Sequence, residues 1–220
     1  MTLAPSPRIL LVEGATERRL IPELMEHRGV LWELPTGGFA VRIDSYGGIE
    51  RMLAPGEIET ALKASGLESL GIIFDADGLH GDAPDRWATM RHRCADVGCT
   101  LPEIPPAAGF ETMLATGIRF GVWMMPDNTN KGMLETFLLR LVPTASDAIY
   151  EFASASVDKA RTLGASFRPL QHHKALIYTW LAWQDPPGAQ LHDAVKFKIL
   201  DPSSSSADAF VNWFRTLFRV

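Results

Sequence analysis

The chain has 220 residues, 46% of them hydrophobic, and a formal net charge of -5. This length and composition fit a folded chain of one large domain, or a domain with a helical extension, and exclude intrinsic disorder. The acidic balance excludes a broad basic surface for indiscriminate nucleic-acid binding, though not a local basic groove.

In chain order, residues 9–12 form an apolar run that ends at Glu13-Gly14 and predicts a first buried strand. Gly14 suits the turn after it, and Thr16 is a candidate cap for a helix carrying Leu20, Leu24 and Met25 on one side. Pro22 is awkward inside that helix, so a late start or a kink is expected. Residues 39–43 predict a second strand that runs into Asp44. A helical stretch with Leu53, Ile58, Ala61 and Leu62 follows, closed by Gly66. Residues 70–74 predict a third strand ending at Asp75-Ala76-Asp77. Residues 82–96 predict a helix with Trp87, Met90 and Cys94 at helical spacing. Residues 120–125 predict a further strand, and a helix with Leu134, Phe137, Leu138 and Leu141 follows Gly132.

Strand and helix alternate up to this point, which predicts an α/β core with a mainly parallel sheet between helices over residues 1–142. After Pro143 the pattern turns helical. Ile149, Phe152, Ala153, Val157, Ala160 and Leu163 mark one amphipathic helix, and residues 172–183 mark another. Lys196 and Lys198 alternate with Val195, Phe197 and Ile199, as on a strand face. Phe210, Trp213, Phe214 and Leu217 mark a last helix whose apolar face must be covered. Residues 143–220 are thus expected to form a mainly helical extension packed on the core.

The chemistry lies where the strands stop. In open α/β sheets, ligands gather at the carboxyl ends of strands. The first strand ends at Glu13, with Glu17 close behind, and the third ends at Asp75 and Asp77. Acids brought into one crevice repel one another unless a cation or proton intervenes, and hard divalent cations take such oxygen ligands.

The Val12-Glu13-Gly14 strand end, Glu17 four residues on, and Asp75-x-Asp77 after the third strand together resemble the Toprim domain of topoisomerases, bacterial primases and nucleases of the overcoming-lysogenization-defect type. Glu at position 17 is similar to the last group. Met125-Pro126-Asp127-Asn128 with Gly132-Met133-Leu134-Glu135 resembles a narrower, uncharacterised Toprim-like bacterial family. The Toprim resemblance covers roughly the first 140 residues, and the narrower one extends over the whole chain. It implies a Toprim-like (Rossmann-like) fold. It also implies that Glu13, Asp75 and Asp77 form a metal site, with Glu17 as a further ligand, and that the activity is magnesium- or manganese-dependent phosphodiester chemistry on DNA or RNA. Glu13 is either a ligand or a general acid or base. The topoisomerase tyrosine region, the primase zinc region and a P-loop have no counterpart in the sequence.

Asp127 either lines the same crevice or caps a turn, and Glu135 is either a second-site metal ligand or a helix-start acid. His173 and Lys174 are candidate phosphate contacts, or the polar start of a helix. Arg86, Arg91 and Arg93 form either a basic patch near Asp75 or a solvated helix face.

The sequence therefore favours a metal-dependent nuclease, in prokaryotic defence or repair. Two alternatives stay open. Phe74-Asp75-Ala76-Asp77-Gly78 resembles the signature of haloacid-dehalogenase-type phosphatases, in which an aspartate attacks phosphate. A non-catalytic interaction subunit, with a protein partner or a second copy on the aromatic C-terminal helix, is the other. The two cysteines, Cys94 and Cys99, lack zinc-ligand spacing and read as reduced thiols of a cytoplasmic protein. The sequence shows no leader-like pattern and no apolar stretch long enough to span a bilayer, so neither export nor membrane insertion is expected.

Overall fold

The computed structural model of the protein describes residues 6–35, 37–77 and 85–220. Five strands form one sheet in the order β2-β1-β3-β5-β4. They are β1 (Arg8–Val12), β2 (Arg42–Ser45), β3 (Ser69–Asp75), β4 (Phe110–Met113) and β5 (Arg119–Met125). β1, β2, β3 and β5 run parallel, and β4 is an antiparallel edge strand on β5. Helices cover both faces: α1 (Ala15–His27), α2 (Ile49–Met52), α3 (Glu57–Leu62), α4 (Arg86–Ala95) and α5 (Leu134–Leu139), then α6 (Asp147–Thr162), α7 (His172–Leu181), α8 (Leu191–Lys196) and α9 (Asp208–Phe218).

Successive strand residues point to opposite faces, and the core divides accordingly. Leu10, Val12, Ile73 and Trp123 pack with α1, α5, α7 and α9. Ile9, Leu11, Ile72 and Val122 pack with α2, α3 and α4. Burial on both faces explains why the strands read as unbroken apolar runs. The first cluster also runs without a break from Leu10 to Phe218, so the C-terminal helices share the core of the sheet. α9 lies directly on β3 and β5. Gly71 and Gly121 make room for it: a Cβ at Gly71 would stand 2.8 Å from Phe218 and 2.9 Å from Leu217, and one at Gly121 2.7 Å from Leu217.

The connections place the site. From β1 the chain crosses to β2 on one side, then returns past β1 to β3 on the other. The strand order therefore switches direction between β1 and β3, where a crevice opens at their carboxyl ends. Val12 is in register with Ile73, so Glu13 and Asp75 leave neighbouring strand ends one register step apart.

Several elements differ from the sequence expectation. α1 starts at Ala15 with Gly14 at its cap, so Thr16 is not the cap and Pro22 lies inside the helix without delaying its start. The second strand is Arg42–Ser45 rather than 39–43. Phe39 instead bridges back to Glu33, because Gly37 and Gly38 adopt left-handed turn conformations before it. The stretch after β2 is two short helices, broken at Pro55 and at Gly56 with φ 84°. α4 is capped by Asp85, which accepts the Ala88 N–H; residues 82–84 of the expected helix lie outside the described residues. β4 was not anticipated. Its four residues pair on one side only and carry no apolar run. Lys196 ends helix α8 and Lys198 sits in a left-handed turn, so no strand carries them. On α6 only Ala153 and Val157 are buried, whereas Ile149, Phe152 and Leu163 are exposed. Trp183 lies beyond the end of α7, exposed and stacked on Phe152. Among the described residues, no helix is long and apolar enough to cross a membrane.

Gly71→Val should destabilise the protein by about 1–3 kcal/mol through overpacking against α9. Chemical denaturation checks this, and an unchanged midpoint would mean that α9 does not press on β3.

Candidate functional site

Glu13 follows β1 directly. Its Oε1 accepts the Asp75 N–H at 2.8 Å and an N–H of Arg86 at 3.0 Å. Asp75 closes β3, and its Oδ1 accepts the Leu134 N–H at 2.9 Å, a donor freed at the start of α5. Asp77, two residues on, has φ 48°, a left-handed conformation that aspartate tolerates better than most residues. Its N–H donates to the Gly132 carbonyl at 2.8 Å, and its carboxylate pairs with Arg86. Gly132 has φ 147°, and any side chain there would strike Thr136. Glu17, on the first turn of α1, and Glu135, on the first turn of α5, are both buried.

Glu17, Asp75, Asp77 and Glu135 line one cleft of about 450 Å³, together with Arg86 and Lys174, and Glu13 adjoins it through its bonds to the Asp75 N–H and Arg86. Burial pushes the Asp75 carboxyl well above its ordinary range, and the charges of Glu13, Glu17, Glu135 and Asp77 add to the rise. Burial also raises Glu13, against the Asp75 N–H and Arg86, which favour its ionised form. Glu17 is raised by burial and by Glu135. Two cations of the chain answer this charge. Arg86 bridges Glu13 and Asp77 and donates to the Asp75 carbonyl at 3.3 Å. Lys174, from α7, reaches Glu135 at 3.2 Å, and that carboxylate raises the lysine in turn.

Four sequence-nominated acids, Glu13, Glu17, Asp75 and Asp77, thus converge with Glu135. Asp127 does not join them. Its oxygens accept from the Thr129 and Asn130 main-chain N–H groups, the Asn130 side chain and Arg140. Burial alone would raise its carboxyl, but the bonds from Asn130, Arg140 and Thr129 hold it well below the usual range. It therefore reads as the turn aspartate of the sequence expectation. Lys174 faces the cleft. His173 bonds to Thr136 at 2.8 Å, and Thr136 accepts the Met133 N–H, so this imidazole braces the start of α5. Burial, with His172 and Arg140, lowers its affinity for a proton. Of the three arginines on α4, Arg93 is spent on the Leu53 carbonyl and Asp96.

Of the two readings the sequence allows for Arg86, the structure places its guanidinium beside the Asp75 strand end. The available signal was its place in the first turn of the helix that follows the Asp75-Ala76-Asp77 strand end. Arg168 and Gln171 also line the cleft and carried no sequence signal. Among the described residues, no three acidic, histidine or cysteine side chains stand ready around one point for a metal ion. The guanidinium of Arg86 lies between two of the acids. The donor set nevertheless suits a hard cation: all-oxygen, crowded, and costly to ionise together.

A sign follows for stability. An acid held above its ordinary pKa in the folded state contributes stability below that ordinary value, and the contribution is lost as pH rises through the folded value. In chelator, Asp75→Asn should match the wild type near pH 4 and exceed it increasingly toward neutrality, by roughly 2–4 °C for about 1 kcal/mol of relieved repulsion. Thermal unfolding across pH checks this, and a variant less stable at neutral pH would contradict it.

The C-terminal region of the Burkholderia pseudomallei OLD protein is a solved structure similar to this chain, with 14% sequence identity and a TM-score of 0.48, covering 98% of this chain and 100% of that one. No curated protein matches the sequence. A family profile described as "Protein of unknown function (DUF3226)" matches residues 7–219, and the chain belongs to that family.

Proposed function

We propose that this crevice carries out metal-dependent phosphodiester hydrolysis, as a nuclease acting on DNA or RNA with magnesium or manganese. The observation that carries the reading is the convergence of Glu17, Asp75, Asp77 and Glu135 on one cleft at the β1–β3 switch, with Glu13 bonded to Asp75 and Arg86 beside it and Lys174 and Arg86 on its walls. The Toprim resemblance of the Glu13, Glu17 and Asp75-x-Asp77 segments, carried by the same acids, agrees with it. In this reading Asp75, Asp77, Glu13, Glu17 and Glu135 would hold the metal, whereas Asp127 would not. The bound cation would supply charge neutralisation at the phosphate and an activated water.

The chain's own residues do the remaining work. Leu134 N–H fixes one oxygen of Asp75, and the Asp77–Gly132 bond fixes the backbone of the second acid. Lys174 brings positive charge to a cleft otherwise too acidic for a phosphate. A second cleft of about 490 Å³ shares Asp77 and Arg86 with the first and opens toward Ile104, Met124, Asn130 and Lys131. Two clefts meeting at Asp77 and Arg86 suit an extended polymer better than a small phosphate ester, which favours a nuclease over the phosphatase reading. A cytoplasmic role in defence or repair, with or without a protein partner, belongs to the same proposal.

Purified protein incubated with DNA and RNA panels plus Mg2+ or Mn2+ should yield cleavage products. Glu13→Gln or Asp77→Asn should reduce the rate at least about 100-fold, the kinetic equivalent of about 3 kcal/mol of lost charge stabilisation. Folded protein that cleaves no substrate in the panels, or variants that cleave as well as the wild type, would contradict the proposal.

A further inference from the structure

We infer that Arg86 is a resident counter-cation of the acidic cleft, and that a divalent metal and the Arg86 guanidinium compete for Glu13 and Asp77. The inference rests on the metal-dependent reading of this cleft, but it concerns how the site is held before metal enters.

Arg86 opens α4, the helix that follows the Asp75-Ala76-Asp77 strand end in sequence. Its guanidinium contacts three groups of the site: the Glu13 carboxylate, the Asp77 carboxylate and the Asp75 carbonyl. Its side chain is only 17% exposed, and those of Glu13 and Asp77 are 15% and 25% exposed, so the bridge is partly shielded from water and from salt. Glu13 Oε1 already accepts two hydrogen bonds, from the Asp75 N–H and from Arg86. A metal drawing on this oxygen and on the Asp77 oxygen paired with Arg86 would need lone pairs that the guanidinium uses, although each carboxylate has a second oxygen. It would also place a second positive charge beside the first. The bridge and the metal therefore oppose one another at these two acids. Lys174 does not share this conflict, because it pairs with Glu135 on the far wall of the cleft.

The arrangement answers a physical problem. Four carboxylates in one cleft with Glu13 beside them would be costly to keep ionised without a counter-charge. Arg86 supplies one that is covalently part of the chain and planar enough to face two carboxylates. A salt bridge that was merely structural would remain in place when metal arrives, with the metal held by Asp75, Glu17 and Glu135 alone.

The test measures Mn2+ binding without nucleic acid, by calorimetry at neutral pH, for the wild type, Arg86→Gln and Arg86→Lys. Circular dichroism confirms that each is folded. Removing the competitor should tighten Mn2+ binding by Arg86→Gln on the order of tenfold or more, the worth of a partly shielded charge-assisted pair. Arg86→Lys keeps the charge and should stay near the wild type. In chelator, Arg86→Gln should unfold at a lower temperature than the wild type, and saturating Mn2+ should narrow or reverse that gap. Equal or weaker Mn2+ binding by folded Arg86→Gln would overturn the inference, as would the absence of Mn2+ binding in all three proteins. A protein that shows the predicted Arg86 dependence yet cleaves no nucleic acid would uphold this inference while refuting the nuclease reading. Cleavage with Arg86-independent Mn2+ binding would do the reverse.

Discussion

The repulsion among acids gathered at the carboxyl ends of β1 and β3 is the constraint around which the rest of the site is arranged. The sheet order forces the gathering. Because β1 and β3 are parallel neighbours in register, Glu13 and Asp75 leave the sheet together. The helices that follow β1 and precede the C-terminal region then bring Glu17 and Glu135 to the same place. The protein offsets this concentration of charge with main-chain N–H groups from Asp75 and Leu134, and with Arg86 and Lys174. Each of these partners comes from a different element, so the integrity of the cleft depends on the packing of all of them.

The C-terminal helices are part of that packing. α9 lies on Gly71 and Gly121 of β3 and β5, and its aromatic residues close one face of the sheet. α7 delivers Lys174 to the cleft, and Arg168 and Gln171 just before it line the same wall. His173, also on α7, ties that helix to α5 through Thr136, and so stiffens the turn whose Leu134 N–H holds Asp75. Residues beyond 143 thus contribute directly to the environment of acids that lie before it.

The buried strands and the acids at their ends were legible in the sequence because both signals are local. An apolar run covered on two faces has nowhere to hide a polar residue, and the first residue outside it is conspicuous. Glu13, Asp75 and Asp77 could be nominated in this way. Features set by tertiary context were not legible. The edge strand β4 has one paired side and no apolar run. Residues 195–199 alternate as a strand would, yet Val195 is drawn into the core by α1 and the segment coils. Asp127 follows a strand as Asp75 does, and only the fold brings Arg140 and Asn130 to its oxygens. Arg86 could be read from the sequence either as part of a basic patch near Asp75 or as an arginine on a solvated helix face. Its meaning comes from where α4 begins relative to two strands far away in the chain. The exposed Phe152 and Trp183 were expected among apolar neighbours and instead stack on each other at the surface.

The account stands on the claim that this cleft seeks a divalent cation. Anomalous diffraction from crystals soaked in manganese tests it most directly, because it needs no knowledge of the substrate. The prediction is an anomalous peak within coordination distance of Asp75 and Asp77. A fully soaked crystal with manganese elsewhere and none beside those two aspartates would contradict it.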